Sequence, residues 1–203
     1  MINEQNYAWS THQPFIRAIM ELYKPKYVLE LGIGNYSTPV FLEYSTILKS
    51  IENDSDWINE IKSKYPEIDV THHDAGVSQS EPLRRVSQPI LNNIRRYYDS
   101  LEVPEISPKL LFVDQFSACR TISINALANK FDFVIFHDTH ARDYRYDKIT
   151  VKGFKRFELV TDKNSTGILI KDEIDISKFK AAVNKQIKRY KKENPECKKM
   201  KLC

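Results

Sequence analysis

Tyr27-Val-Leu-Glu-Leu-Gly-Ile-Gly-Asn-Tyr-Ser-Thr38 joins an apolar run to a glycine turn and a helix start, and its reading decides the fold. Tyr27 to Leu31 has the form of a short parallel strand covered on both faces. Gly32 and Gly34 permit positive φ and leave no Cβ between backbone and ligand, while Ser37 or Thr38 can cap the following helix. A small molecule can lie directly on such a turn.

The pattern also narrows the kind of molecule. A dinucleotide fold carries G-x-G-x-x-G and aims a helix end at a pyrophosphate. Here Ser37 stands at the third glycine position, and the Glu30 carboxylate beside the loop repels a diphosphate but suits a cation. The E-x-G-x-G arrangement resembles motif I of the class I S-adenosylmethionine (SAM)-dependent methyltransferases, with Tyr36 in place of the motif's last glycine. The resemblance implies a SAM cofactor held by Glu30, Gly32, Gly34 and Ser37. It further implies an α/β fold: a doubly wound, mostly parallel seven-stranded sheet with an antiparallel C-terminal strand pair.

Length and composition agree with one such domain. The 203 residues, 41% of them hydrophobic, suffice for one α/β core and are few for two. No basic leader precedes an apolar stretch and no apolar run approaches bilayer length, so a soluble, cytoplasmic protein is expected. Cys119, Cys197 and Cys203 are too few for a disulfide framework or a closed zinc site, which fits a reducing compartment. The net charge of +4 is unevenly spread: residues 178–203 carry +8 and the remainder −4. This basic end reads as a solvated helix face, able to steer anionic partners at low salt, more than as a nucleic-acid site.

Around the central turn the chain alternates strands and helices. Ser10 or Thr11 can cap a helix with Pro14 in its first turn, and Phe15, Ile16, Ile19, Met20 and Leu22 recur along it at helical spacing. Trp9 and His12 stand at its start, which in the methyltransferase resemblance borders the active-site mouth; His12 reads as a polar group of the N-terminal turn. Thr46 to Ile51 forms a second strand ending in Glu52, about 20 residues past the glycines, where a Rossmann-like fold puts a carboxylate on ribose hydroxyls. Trp57 reads as packing in the helix from Ser55 to Lys64. A third strand, Ile68 to His72, leads to Asp74, which by resemblance lies near the adenine amino group. His72 and His73 are neighbours in an extended strand, point to opposite faces and make a poor joint metal site.

Residues 76–108 exceed a simple crossover and hold an amphipathic helix from Leu83 to Leu101, a candidate lid or oligomer contact. Leu110 to Asp114 and Phe133 to Asp138 are apolar runs that each end in an acid, so both acids fall at the carboxyl edge of the sheet. This layout resembles the metal-dependent O-methyltransferases of the catechol type, with Thr139 where that family has Asn. By that resemblance Asp114 and Asp138 hold Mg²⁺ or another divalent cation. Arg120, in Val-Asp-x5-Arg, resembles a segment of some small SAM-binding proteins and can pair with Asp114. His137 and His140 flank Asp138, and either can take a proton from a hydroxyl.

Phe154 to Thr161 and Gly167 to Lys171 read as a closing hairpin, Ile176 to Glu193 as a basic helix, and Pro195 to Cys203 as a frayed end. The methyltransferase-like domain is thus expected over 1–176 with its helical insert at 76–108, followed by a basic helix and tail over 177–203.

The expected activity is O-methylation of a small polar or sugar-like hydroxyl compound. Glu30, Gly32, Gly34, Ser37, Glu52 and Asp74 hold SAM in this reading, and Asp114, His137, Asp138 and His140 face the acceptor. Nucleic acid is disfavoured as substrate, since Asp114-Gln-Phe-Ser117 lacks the D/N-P-P-Y/F of the amine methylases and no Pro-Cys nucleophile follows the fourth strand. The competing classes are an NAD(P)-dependent oxidoreductase on a similar sheet and a SAM- or nucleoside-binding module without turnover. Oligomeric state is left open.

Overall fold

All five residues of Tyr27–Leu31 (β1) are buried, as a strand covered on both faces requires. The computed structural model describes residues 6–44 and 46–203. β1 is flanked in parallel by Ile47–Glu52 (β2) and Lys109–Val113 (β4); Val70–His72 (β3) extends the β2 side and Phe133–His137 (β5) the β4 side. Ser165–Lys171 (β7) joins β5 antiparallel, followed by Phe154–Thr161 (β6) and Met200–Leu202 (β8). The order β3-β2-β1-β4-β5-β7-β6-β8 reverses direction at β1, so the β1 and β4 carboxyl ends border the crevice where α/β sheets take ligands.

Alternation along the strands divides the core between two faces. Val28, Leu110, Phe112, Phe133, Ile135, Ile168 and Ile170 face Gln13–Tyr23 (α1) and Phe179–Glu193 (α6). Leu29, Leu31, Leu111, Val113, Val134 and Phe136 face Gln88–Ser100 (α4) and Ser117–Leu127 (α5). Thr38–Leu42 (α2) follows the glycine turn, and Ser55–Lys64 (α3) buries Ile58 and Ile61 against Ile33 and Ile68. Asp54 caps α3 by accepting from the backbone N–H of Asp56 and Trp57.

Four local expectations are corrected. Ser10 and Thr11 do not cap α1; the Ser10 hydroxyl meets Tyr190 Oη at 2.7 Å and Thr11 Oγ1 meets His137 Nε2 at 2.9 Å. The insert helix is broken, because Val86 and Ser87 are extended ahead of Pro89 and only Gln88–Ser100 is α-helical. α4 packs on α5 through Ile94 and Tyr98, as a crossover helix and not as a lid. The C-terminal residues are not frayed: β8 pairs with β6, Cys203 and Glu158 exchange backbone hydrogen bonds, and Cys197 and Met200 join the α1–α6 core. The sheet therefore has eight strands, the last adding to the antiparallel end. Cys119, Cys197 and Cys203 are free thiols. No helix among the described residues is long and apolar enough to cross a membrane.

Candidate active site

A cleft of about 790 Å³ opens at the carboxyl edge of the sheet, within the size range of small-molecule sites. Its walls include Gly34 to Ser37 of the glycine turn, Glu52 after β2, Asp114 to Ser117 after β4, and Asp138 after β5. Trp9 and His12 close it from the chain's N-terminal side.

The turn is fixed from behind. Alternation along β1 aims Glu30 at the α2 side, where it is fully buried and accepts from Ser37 Oγ at 2.7 Å, Thr38 Oγ1 at 3.0 Å and Ser50 Oγ at 2.9 Å. Thr38 Oγ1 in turn accepts from the Gly34 N–H at 3.0 Å. Glu30 therefore does not border the cleft, correcting its expected role beside a cationic ligand: it shapes the turn through hydroxyls. Burial raises its carboxyl to about 7 against the pull of those hydroxyls. Gly32 has φ +91°, a region open chiefly to glycine, and Gly34 has no neighbour nearer to a built Cβ than Ser37 Oγ at 3.7 Å.

Glu52 does line the cleft. Its Oε2 accepts from the Ile33 N–H at 3.0 Å, and its Oε1 from the N–H groups of Asn53 at 2.6 Å and Asp54 at 3.0 Å. Three of roughly four acceptor positions are thus taken, leaving one for a ligand hydroxyl. Burial pushes its carboxyl up, and the three N–H groups oppose that. Trp57 donates its indole N–H to the Ile33 carbonyl at 2.7 Å and stands on the same wall, so its packing role and a place on the cleft coexist.

Asp74 lies elsewhere. It is exposed, accepts from the Gly76 N–H at 2.8 Å, and does not line the cleft, which corrects its expected place near an adenine. Gln79 and Ser80 line the wall instead, and no motif marks them in the sequence. His140 is exposed and opens onto a neighbouring cavity of about 590 Å³ that Arg84, Arg142, Arg145 and Arg156 also line, so it does not join the acceptor side of the cleft.

The two strand-end acids converge, but on a guanidinium. Arg120 NH2 lies 2.8 Å from Asp114 Oδ1, and NH1 lies 3.2 Å from Asp138 Oδ2. The same side chain donates through Nε to the Gln115 carbonyl at 2.7 Å and covers the Tyr144 ring at 4.1 Å. A divalent cation held between Asp114 and Asp138 does not fit this arrangement, because the charge between them is already supplied. Asp138 adopts φ +59° and accepts from Asn164 Nδ2, a contact from the β6–β7 turn that carries no sequence signal.

Below the acids lie two imidazoles. His137 is buried at the end of β5, with Nε2 at 2.9 Å from Thr11 Oγ1 and Nδ1 at 3.4 Å from both Asp114 Oδ2 and Asp138 Oδ1. It sits behind the cleft wall, not on it. Burial alone would lower it; Asp114 and Asp138 outweigh that and raise it. Burial likewise pushes the Asp114 carboxyl up, yet His137 and Arg120 hold it at about 2. His12, 2% exposed, stands edge-on to His137 with centroids 4.8 Å apart; burial and then the charge on His137 depress it to about 3.

No protein-family model matches the sequence, and no curated protein matches it either. Solved structures do. A methyltransferase-like protein from Silicibacter pomeroyi is 15% identical and superposes with a TM-score of 0.51 over 92% of this chain and 96% of that one. An O-methyltransferase from Bacillus cereus, solved with S-adenosylhomocysteine (SAH), is 12% identical with a TM-score of 0.51 over 79% and 81%. The N-methyltransferase NodS from Bradyrhizobium japonicum is 12% identical with a TM-score of 0.51 over 84% and 100%. At these identities the likeness is one of fold: the chain has the class I SAM-dependent methyltransferase fold.

Proposed function

We propose, from that fold, that the protein is a SAM-dependent methyltransferase acting on a hydroxyl of a small polar or sugar-like compound. The observation that carries this reading is the pairing of an open glycine turn at Gly34 with the Glu52 carboxylate on one cleft wall, 18 positions apart in the chain. Gly34 lets a ligand approach the backbone, and the remaining acceptor position of Glu52 suits a ribose hydroxyl. SAM, when bound, supplies an electrophilic methyl group on a sulfonium.

The protein's own part is alignment and exclusion of water. Arg120 fixes the Asp114 and Asp138 side chains, and Tyr144 covers Arg120, so the acceptor end of the cleft is rigid. Asp114 spends Oδ1 on Arg120 and turns Oδ2 toward His137 at the cleft wall, which supports reading this carboxylate as the group that an acceptor hydroxyl would meet. The small-substrate expectation rests on the missing D/N-P-P-Y/F and Pro-Cys signatures, and a cleft bordered by Trp9 and the Arg142 to Tyr144 loop is of a size for such a compound.

The capture of both acids by Arg120 favours one second reading, donor binding without transfer. Calorimetric titration with SAM, SAH and NADH tests the class: SAM and SAH should bind one to one and NADH should not. Binding of NADH in place of SAM would overturn the assignment. Transfer of labelled methyl groups into a small-molecule extract then separates the enzyme from the binding module.

A further inference from the structure

The His12 side chain is 2% exposed, yet neither ring nitrogen has a hydrogen-bond partner among the described residues. His137 Nδ1 makes no well-formed hydrogen bond either, standing 3.4 Å from Asp114 Oδ2 and from Asp138 Oδ1. Buried polar atoms are nearly always satisfied, and an unpaired one calls for a water, an ion or a functional role. An unpartnered buried imidazole next to a second imidazole and a carboxylate points to a common ligand, with one nitrogen from each ring.

We propose that His12, Asp114 and His137 form a binding site for a divalent transition-metal ion, at the floor of the cleft and distinct from the Asp114–Asp138 pair that Arg120 occupies. One ligand atom from each of the three residues lies within 4.8 Å of the others. Two donors bonded tetrahedrally to one ion at about 2.1 Å stand about 3.4 Å apart, so the widest pair closes by at most about 1.4 Å, within the reach of side-chain rotations about χ1 and χ2. The donor chemistry selects the class of ion. Two imidazoles and one carboxylate suit Zn²⁺, Mn²⁺, Fe²⁺ or Co²⁺, whereas Mg²⁺ prefers oxygen donors.

The surroundings of His137 match what a metal-bound histidine needs. A ligating imidazole usually has its other nitrogen held, and His137 Nε2 is fixed by Thr11 Oγ1 at 2.9 Å, leaving Nδ1 as the ligand atom. Arg120 plays the same part for Asp114, binding Oδ1 and orienting Oδ2 toward the imidazoles. Phe112 packs against His12 with centroids 5.0 Å apart and limits the ring's motion. His12 and Asp114 line the cleft while His137 lies behind them, so the site's open positions face the cavity. Among the described residues no other group of three His, Cys, Asp or Glu side chains meets this spacing.

The site is tested without substrate or SAM, so its failure leaves the methyltransferase reading untouched. Chelator-treated protein is titrated with Zn²⁺ and with Co²⁺ by calorimetry, and the visible spectrum of the Co²⁺ form is recorded. One ion per chain should bind, with a rise in melting temperature. His12→Phe keeps a ring against Phe112 and removes both nitrogens; it should weaken binding at least a hundredfold, as should His12→Gln. His140→Ala and Cys203→Ser, both at exposed positions, should bind as the parent does. In wild type, diamagnetic Zn²⁺ should shift the His12 and His137 imidazole resonances by NMR and leave His72 and His73 in place, a readout that needs no variant to fold. Absence of a one-to-one complex, unchanged affinity in either folded His12 variant, or shifts confined to other histidines would overturn the proposal.

Discussion

Gly32 crosses the end of β4 at Asp114 with no room for a methyl group: a Cβ there would lie 2.5 Å from the Asp114 carbonyl carbon and 2.6 Å from the Gln115 nitrogen. The motif's first glycine therefore serves contact between two strand ends, and its φ of +91° adds strain for any other residue. Gly34 differs, since its Cβ would meet only Ser37 Oγ, at an ordinary contact distance of 3.7 Å, beside the cleft. Gly32→Ala should lose about 3 kcal/mol of stability or more, from backbone strain and overpacking together. Gly34→Ala should keep its stability, or gain roughly 0.4–1 kcal/mol through the unfolded state, and yet bind SAH more weakly. Urea unfolding and calorimetry on both variants check this, and equal behaviour of the two would refute the division.

Glu52 holds three backbone N–H groups and has one acceptor position to spare. Glu52→Gln loses the charge and turns an amide against one of those donors. SAH affinity should fall by roughly 1–3 kcal/mol, the scale of a charge-assisted hydrogen bond, with a smaller fall in melting temperature. An unchanged dissociation constant would remove the ribose assignment.

The strand and helix order was readable in the sequence because periodicity and chain punctuation carry it: Tyr27 to Leu31, Leu110 to Val113 and Phe133 to His137 are runs that only a covered parallel sheet buries. Met200 to Leu202 was not, because Met-Lys-Leu after two lysines is too short for its alternation to mark a strand, and it becomes one only through β6. At the site, the sequence places acids at strand ends but not the directions of their side chains. Glu30 points behind the turn because of strand alternation, which a motif does not encode. Arg120 reaches both Asp114 and Asp138 because β4 and β5, which end at those acids, are neighbours in the sheet, and α5 starts three residues after Asp114. His12 joins His137 across 125 positions, a contact set by tertiary packing of α1 on the sheet.

Arg120 is 7% exposed and joins two acids, two carbonyls and an aromatic face. Removing it leaves the buried Asp138 and the half-buried Asp114 carboxylates without their counter-charge. Arg120→Met should destabilise by about 3–5 kcal/mol, and Arg120→Lys should recover only part of that, because an ammonium cannot fork to both acids. Because the group is buried, the loss should change little between low and high salt. Chemical denaturation at two ionic strengths checks both statements, and a loss below about 1 kcal/mol for Arg120→Met would show that the acids are held by something else.

Glu30 gives the fold a pH dependence whose sign follows from burial. Its folded carboxyl titrates at about 7 against 4.5 for the free side chain. Between those values the folded chain keeps a proton that the unfolded chain has released, so this group's contribution to stability falls as pH rises and levels off above 7. The full effect is on the order of 3 kcal/mol. Glu30→Gln keeps an acceptor for Ser37, Thr38 and Ser50 but does not ionise, so it should match or trail the parent near pH 5 and overtake it toward pH 8. The quantity to measure is the difference in unfolding free energy between the two proteins across that range. Parallel curves would mean that Glu30 is ionised throughout and that its three hydroxyl partners fully offset its burial.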